Sequence, residues 1–331
     1  SASLDSGGEF DSPVDAVNLV NDPGDLLGVT NGASPLRTVE PTFTAQSIEQ
    51  SSPLNGVKNT LTITLTSDVH LAAASTVTIA GLTGTTTVTS GTQAITSTPS
   101  LYGAQASWDI DGTLVLTVGG TATTAGTPVV VEIELDNKAT AQAAVTPTVA
   151  ATLEAGLFDG AISLSSMTVP DAVLLGVANG KRPLLTVVPT LSRKSVEQSF
   201  PLVSASNTIT VTITPSVDFV ADSTITLTGL TGTQSAGGAL SVTSIPSNVF
   251  GSTGAWTMAE GTLVLTVASG GLSAGTSYAV SFVVQNSDTA RAVAVTVAVS
   301  ASLDSGGEFD SPVDAVNLVN DPGDLLGVTN G

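Results

Sequence analysis

Residues 59–66 read NTLTITLT, a run in which Thr alternates with Leu or Ile. A period of two places successive side chains on opposite faces of a strand, so this run predicts a half-buried β-strand whose Thr face meets water. Further runs of this kind occur at 76–79, 113–118, 129–135 and 143–152. Clusters of Gly, Asn, Ser and Pro separate them, as turns separate strands. The pattern predicts an all-β chain.

The same pattern returns 148 residues later, where residues 207–212 read NTITVT. The run GTLVLTV occurs at 112–118 and again, after one inserted residue, at 261–267. Two diverged modules therefore follow each other along the chain. About seven or eight short strands in each module favour an antiparallel two-layer sandwich. The expected fold is two such sandwiches in tandem, joined by ordered acidic junction segments.

Trp108 and Trp256 occupy matching positions in the two modules, each just before GTLVLTV. Aromatic residues make up only 4% of the chain, so each Trp is expected to fill a large part of an otherwise aliphatic core. The alternative role, stacking against a ligand, would need convergent polar groups nearby, and the sequence offers none.

A longer repeat contains the two modules: residues 300–331 reproduce residues 1–32 without a change, at a spacing of 299 residues. This duplication indicates a window cut from a longer periodic object, either a tandem-repeat chain or a filament of repeated units. The predicted division is a junction at 1–32, a sandwich module at 33–152, a second junction at 153–180, a second module at 181–299, and the first junction again at 300–331.

The two junctions differ in charge and end alike. Residues 4–25 hold six acidic side chains and no base, whereas the second junction is less acidic. The first then reads LLGVTNG at 26–32 and the second LLGVANG at 174–180. A short apolar strand followed by an Asn-Gly turn is expected to dock each junction onto the next module. Both junctions are therefore predicted to be ordered and to cover a sheet edge or a neighbouring module.

The acidic junction is the candidate ion site, because calcium takes six to eight oxygen ligands, commonly from carboxylates and backbone carbonyls. The donors are Asp5, Glu9, Asp11, Asp22 and Asp25, although their spacing matches no EF-hand loop. Two interpretations stay open: a solvated acidic linker, which is the default, and a junction stiffened by calcium. No other cofactor is expected.

Charge and composition restrict the partners. The net charge is −20, with eight Lys and Arg together, so nucleic acid is not expected to bind. No apolar run reaches the roughly 18 residues that a membrane span requires. The chain has no Cys, which excludes a disulfide framework and a thiolate metal site. The many Thr and Ser residues leave O-linked glycans open as partners.

No set of residues predicts an enzyme. Residues 271–275 read GLSAG, which fits a nucleophile elbow, but they lie between two predicted strands and the sole His, His70, is in the other module. His70 is expected to be a surface residue. Asp109 and Asp111 precede a Gly and predict a turn. An isopeptide bond shared by both modules is excluded, because Lys58 aligns with a Ser.

The strand at 59–66, the AGLTGT turn at 80–85 and the Trp followed by GTLVLTV resemble the immunoglobulin-like modules of long surface proteins. Such modules occur in tandem in bacterial adhesins and in giant repeat proteins of algae and protists. The resemblance covers both modules and lies in their pattern and composition. It implies immunoglobulin-like sandwiches in an array outside the cell or on its surface.

The expected function is structural: the repeating unit of an extracellular filament, stalk or fibre, whose partner is its own neighbouring repeat or subunit. One arrangement is a single long chain along the fibre axis. In the other, separate chains donate a terminal strand to a neighbour. The duplicated segment favours the single chain, because a donated strand needs no second copy of itself. The alternative function is an adhesin array, calcium-stiffened or not, whose loops bind carbohydrate or another cell.

Overall fold

The computed structural model describes residues 2–4, 12–14, 23–154, 160–291, 294–303, 311–317 and 319–320. Its regular secondary structure over these ranges is entirely β, which confirms the predicted class. The strands pair antiparallel, apart from one short parallel pair between residues 195–196 and 319–320 and some isolated bridges. Two antiparallel sandwich modules in tandem make up the fold.

Module 1 is formed by nine strands: β3 Phe43–Gln50, β4 Lys58–Ser67, β5 Thr76–Ala80, β6 Ser90–Thr98, β7 Gln105–Asp109, β8 Thr113–Thr117, β9 Val129–Asp136, β10 Thr148–Leu153 and β11 Gly160–Ser166. Module 2 has the corresponding β12 Leu191–Gln198, β13 Ser206–Pro215, β14 Thr224–Thr228, β15 Gly238–Ile245, β16 Thr253–Thr257, β17 Thr262–Thr266, β18 Tyr278–Gln285, β19 Ala298–Leu303 and β20 Ser311–Asn317. Three short strands remain, β1 Ala2–Leu4, β2 Ser12–Val14 and β21 Val319–Asn320.

The strand order of module 1 is β11-β10-β5-β8-β7-β6-β9-β4-β3. β6 belongs to both layers, since its first half pairs with β7 and its second half, from Ile95 to Thr98, pairs with β9. The layers therefore share one strand, which changes partner between Ala94 and Ile95 and passes from one sheet to the other. Module 2 repeats this order with the equivalent strands.

The alternation at 59–66 produces the central strand β4. Its side chains are buried and half-exposed in strict turn, with Leu61 and Ile63 fully buried. β3 and β9 flank it, and the second half of β6 pairs with β9 in the same layer. Trp108 lies in the core of module 1 with 0% exposure, and its indole N–H donates to the carbonyl of Thr87 at 3.1 Å. Trp256 does the same in module 2, with Ser235 as acceptor.

Two predicted features differ in the structure. The run predicted as a strand over 143–152 becomes one only at Thr148, because the residues before it pair with the junction; the N–H of Val145, for example, donates to Pro183. The predicted boundary at 152/153 falls inside β10, and part of the second junction forms β11, which pairs with β10.

The duplicated segment forms the same hairpin at both positions. β1 pairs with β2, with Ala2 opposite Val14. β19 pairs with β20, with Ala301 opposite Val313, which are the same two residues one period later. In module 2 this hairpin is joined to β14 and closes the edge of a sheet. The repeated segment thus supplies the end of β19 and the edge strand β20 of a sandwich.

Candidate interaction site at the module junction

After β11 the chain crosses to the other layer of module 1. Thr168 forms a parallel bridge beside β3, donating to Gln46 and accepting from Ile48. The junction therefore covers two edges of the sandwich, one with β11 and one with this bridge. Covering an edge strand removes a site for uncontrolled pairing with other chains.

The next segment, 174–180, makes two successive turns and docks onto module 2. The predicted docking is observed, although the segment forms turns closed by a single bridge between Leu174 and Val177 rather than a strand. The carbonyl of Leu175 accepts from the N–H of Asp218 at 2.9 Å. The first copy, 26–32, docks onto module 1 in the same way, through Leu27 and the N–H of His70.

A glycine is required in the docked turn. Gly176 has φ of +72°, and a Cβ there would lie 2.5 Å from the Cβ of Ala274. Gly28 has φ of +79° and would meet Ala125 at the same distance. A side chain at either position is excluded both by backbone conformation and by the close approach of the next module.

His70 and Asp218 hold equivalent positions under these turns. Asp218 Oδ1 accepts from the backbone N–H of Ala274 at 2.8 Å. His70 Nδ1 lies 2.8 Å from the carbonyl of Thr123, and its ring is half-buried. The sequence predicts a surface position for His70, but its ring is half-buried because the turn at 26–32 docks onto this residue.

Residues 181–187 then turn back and lie against the end of module 1. Six backbone hydrogen bonds join them to module 1, among them the N–H of Val187 to the carbonyl of Pro53 at 2.8 Å and a reciprocal pair between Thr186 and Gln142 at 2.8 and 3.0 Å. Leu184 is 1% exposed and belongs to the core cluster of module 1. Its backbone φ is +56°.

The side-chain contacts cross the junction in both directions. Leu54 comes from module 1 but is buried in the apolar cluster of module 2, at 1% exposure, together with Val57. Leu184, from the segment that leads into module 2, is buried in the cluster of module 1. Each core thus encloses apolar side chains from the other side of the junction, which couples the two modules.

A buried amide network holds this end of module 1 in shape. Asn59 Nδ2 donates to Gln50 Oε1 and to Asn137 Oδ1, each at 2.9 Å. Asn137 Nδ2 in turn donates to the carbonyls of Ser52 and Leu54. All three amide side chains are at most 3% exposed. Because their polar atoms find partners, burial carries little desolvation penalty and the loop before β4 is fixed.

Gln50 connects this network to the junction. Its Nε2 donates to the carbonyls of Gly180 at 2.7 Å and Leu185 at 3.0 Å. This functional use was not predicted from the sequence. A signal existed, since both Gln50 and the two asparagines recur in module 2, but equivalence alone does not say what a side chain contacts.

Two ion pairs add to the internal junction. Lys181 Nζ lies 3.1 Å from Glu49 Oε2, and Arg182 pairs with Asp171. All four side chains are more than a third exposed, so each pair contributes little free energy.

The candidate calcium ligands are only partly within the described residues. Asp5, Glu9, Asp11 and Asp22 lie outside them. Asp25 is described, and its Oδ1 accepts from the N–H of Asn31 at 2.9 Å, which caps the turn at 26–32. Within the described ranges, no group of three or more His, Cys, Asp or Glu side chains is placed to hold a metal ion. The calcium interpretation stays a prediction.

The other residues considered for chemistry are dispersed. Lys58 is partly exposed and pairs with Glu134 at 2.7 Å on the sheet surface, rather than lying buried beside an Asn. Residues 271–275 follow β17 and are not joined to a helix, and Phe219 pairs with Leu272. Searching the described ranges, we find no helix with the length and apolar character needed to cross a bilayer.

Comparison with solved structures gives distant matches. A chain described as BspA_C_mut aligns over 86% of this chain and 99% of its own, with 9% identity and a TM-score of 0.41. The collagen adhesin CNA of S. aureus aligns over 84% and 92%, with 14% identity and a TM-score of 0.25. The major pilin SpaD of Corynebacterium diphtheriae aligns over 74% and 59%, with 11% identity and a TM-score of 0.26.

Bacterial surface adhesins and pilins are thus among the structures that this chain is similar to. Their TM-scores lie below 0.5, and the strand topology of the chain itself defines the fold. No protein-family model matches the sequence, and no curated protein matches it.

Proposed function

We propose that this protein is structural: the repeating unit of an extracellular filament, stalk or fibre built from sandwich modules in series. The observation that carries the proposal is the interlocked junction. Leu54 and Leu184 are exchanged between the two cores, and segment 181–187 is bonded to module 1 along its backbone. A linker that served only to connect two independent domains would need none of these contacts.

The mechanism is mechanical. Within each module, neighbouring antiparallel strands share ladders of hydrogen bonds that have to break together when the sandwich is extended. Between modules, the turn at 174–180 fixes one side of the junction and segment 181–187 fixes the other. A force along the array therefore acts on ordered contacts throughout the described residues of the modules and of the junction between them. A repeat of 299 residues would give every second junction the same geometry.

The adhesive alternative receives no support from a described residue. Its most natural platform would be exposed aromatic side chains, but Tyr102 and Tyr278 are 2% and 5% exposed. Burial raises the pKa of the Tyr102 hydroxyl above its ordinary value, as expected for a phenol enclosed in a core. We also propose that the protein is not an enzyme.

Electron microscopy of the native material tests the proposed role. The expected images show filaments or stalks with an axial repeat that spans two modules. Dispersed globular particles in native material would contradict the proposal. Enzymatic shaving of intact cells, followed by detection of the protein in the released fraction, tests the extracellular location, and full protection from protease would contradict it.

A further inference from the structure

The chain that leaves module 1 pairs with the strand through which the chain entered it. The N–H of Thr168 donates to the carbonyl of Gln46 at 2.8 Å, and the carbonyl of Thr168 accepts from the N–H of Ile48 at 3.0 Å. This bridge is parallel, so a pull on the array draws β3 and the outgoing chain in opposite directions along a shared axis. Both hydrogen bonds then bear the force together and resist sliding of the two chains.

Module 2 has the same arrangement. Its first strand, β12, pairs in parallel with β21, where Ser195 lies opposite Val319. The remaining strand pairs among the described residues are antiparallel. The parallel contact between the first strand and the outgoing chain is therefore a feature of both modules.

After the bridge at Thr168, the outgoing chain forms a closed loop, residues 171–182. The N–H of Lys181 donates to the carbonyl of Ala172 at 3.2 Å, and Arg182 pairs with Asp171, so both contacts lie at the base of the loop. The tip of the loop contains the docked turn at 174–180. As long as the base holds, the residues within the loop add nothing to the distance that the chain can span.

The loop and the segment that follows it are attached to both modules. On module 2, the carbonyl of Leu175 accepts from the N–H of Asp218. On module 1, the six backbone hydrogen bonds of segment 181–187 are spread over residues 50, 53, 55, 142 and 145. A pull from module 2 enters this segment at Val187, so the bonds to these separate positions break one after another, unlike the two bonds at Thr168.

The amount of buried apolar surface also favours release of the junction before the sandwich opens. Release uncovers Leu184 and the few other side chains that cross the junction. Opening module 1 uncovers a whole core, including Trp108. Because the free energy lost scales with the apolar area that returns to water, the junction is expected to yield first.

We propose that the junction is a reversible extension element: under a pull, segment 181–187 leaves module 1 and the loop at 171–182 opens, while the parallel bridge at Thr168 keeps the sandwich closed. The inference rests on the proposed function, because it concerns a pull along the array. Each opening adds a fixed length to the chain. The contacts that close the loop join residues close in sequence, which pair quickly, so the loop is expected to re-form when the pull ends.

The lengths of the two events differ enough to tell them apart. At 3.3–3.6 Å per extended residue, opening of residues 169–192 adds at most about 80 Å. Opening of module 1, residues 43–168, adds about 440 Å on the same scale. A record of extension against force therefore identifies each event by its step.

Optical tweezers test the proposal with handles attached at Glu40→Cys and Arg193→Cys in the full chain. Both sites are exposed, and the chain has no other Cys. The short step is expected first and should reverse on relaxation, and the long step should follow. Leu184→Asp, which places a charge in the core of module 1, should abolish the short step. Leu164→Asp, at a 68% exposed leucine on β11, is the matched control and should keep both steps.

The bridge at Thr168 is tested in the same chain. Thr168→Pro removes the N–H that donates to Gln46, whereas Thr168→Ala keeps it. At constant force, module 1 should open about tenfold faster in the Pro variant than in the Ala variant, with the short step unchanged. Independently of any variant at 168, moving the second handle to exposed Thr121 removes the pull on the outgoing chain, so module 1 should open at a lower force.

Three results would overturn the proposal. One is a single event in which the junction and module 1 open together, and another is a long step that precedes the short one. The third is the same opening force for module 1 with the second handle at either position. If native filaments are seen by electron microscopy alongside any of these results, the proposed function stands and the junction does not act as an extension element.

Discussion

Segments 33–39 and 181–187 have the same backbone and opposite surroundings. Both follow a docked LLGV turn, and both carry Pro-Leu with the leucine at positive φ. Leu184 is enclosed by module 1 and Leu36 stands in water. The conformation of the turn is therefore set by its own sequence and by docking to the module that follows it, whereas its burial depends on the module that precedes it.

The largest effect is expected from the leucines themselves. Leu184→Ala should lower the free energy of unfolding by about 3 kcal/mol, since it leaves a cavity in a packed core. Leu36→Ala should change it by less than about 0.5 kcal/mol in dilute solution, as for other exposed sites. Urea unfolding followed by tryptophan fluorescence measures both. Equal losses at the two positions would contradict the assigned difference in burial.

Substitutions in the amide network should have the next largest effect on the free energy of unfolding. Asn137→Ala removes a donor to two buried carbonyls and an acceptor for Asn59, with an expected loss of about 2 kcal/mol. Asn286→Ala makes the same change where water reaches the carbonyls, and about 1 kcal/mol is expected. A larger loss at Asn286 in the same urea assay would show that the junction does not cover the network in module 1.

The docked turn offers a smaller test with an internal control. Gly176→Ala introduces strain at positive φ and a clash with Ala274, with an expected cost of about 1–2 kcal/mol. Gly56→Ala has a similar φ of +67° but open space around its Cβ, so it isolates the strain. The difference between the two variants in thermal unfolding measures the docking contact. An identical shift for both would mean that the turn is not held against module 2.

The ion pair that distinguishes the two junctions should matter least. Lys181→Ala is expected to cost about 0.5 kcal/mol or less, because both side chains are well exposed. The loss should vanish at 1 M salt, where screening removes such interactions. A loss above about 1 kcal/mol that persists in salt would indicate a role in packing rather than charge.

Much of the sandwich could be predicted from the sequence. The alternation at 60–66 gave β4, and the run GTLVLTV gave β8 and its equivalent, because strict period two with β-branched residues specifies one buried face. The sequences of β3 and β6 predict strands only weakly, because most of the side chains of these strands are exposed or half-exposed. Matching residues recur at a spacing of 148, which predicts that the second module repeats the fold of the first.

The junction contacts could not be predicted in the same way. Pro-Leu occurs in both segments, so no local pattern distinguishes the buried Leu184 from the exposed Leu36. Gln50 looks like an ordinary strand end in the sequence, although it links the network to the junction. The burial of such a segment depends on whether a module packs against it. The order of modules along the chain decides this, and the residues next to the segment do not.

The central claim is that the junction fixes one module against the next, and the distance between the modules tests it most directly. Thr117 and Thr266 are exposed at equivalent strand positions, and both can be changed to Cys and spin-labelled in this cysteine-free chain. Double electron–electron resonance should give a single narrow distance distribution, which Leu184→Asp broadens. A broad distribution in the otherwise unchanged chain would contradict the account.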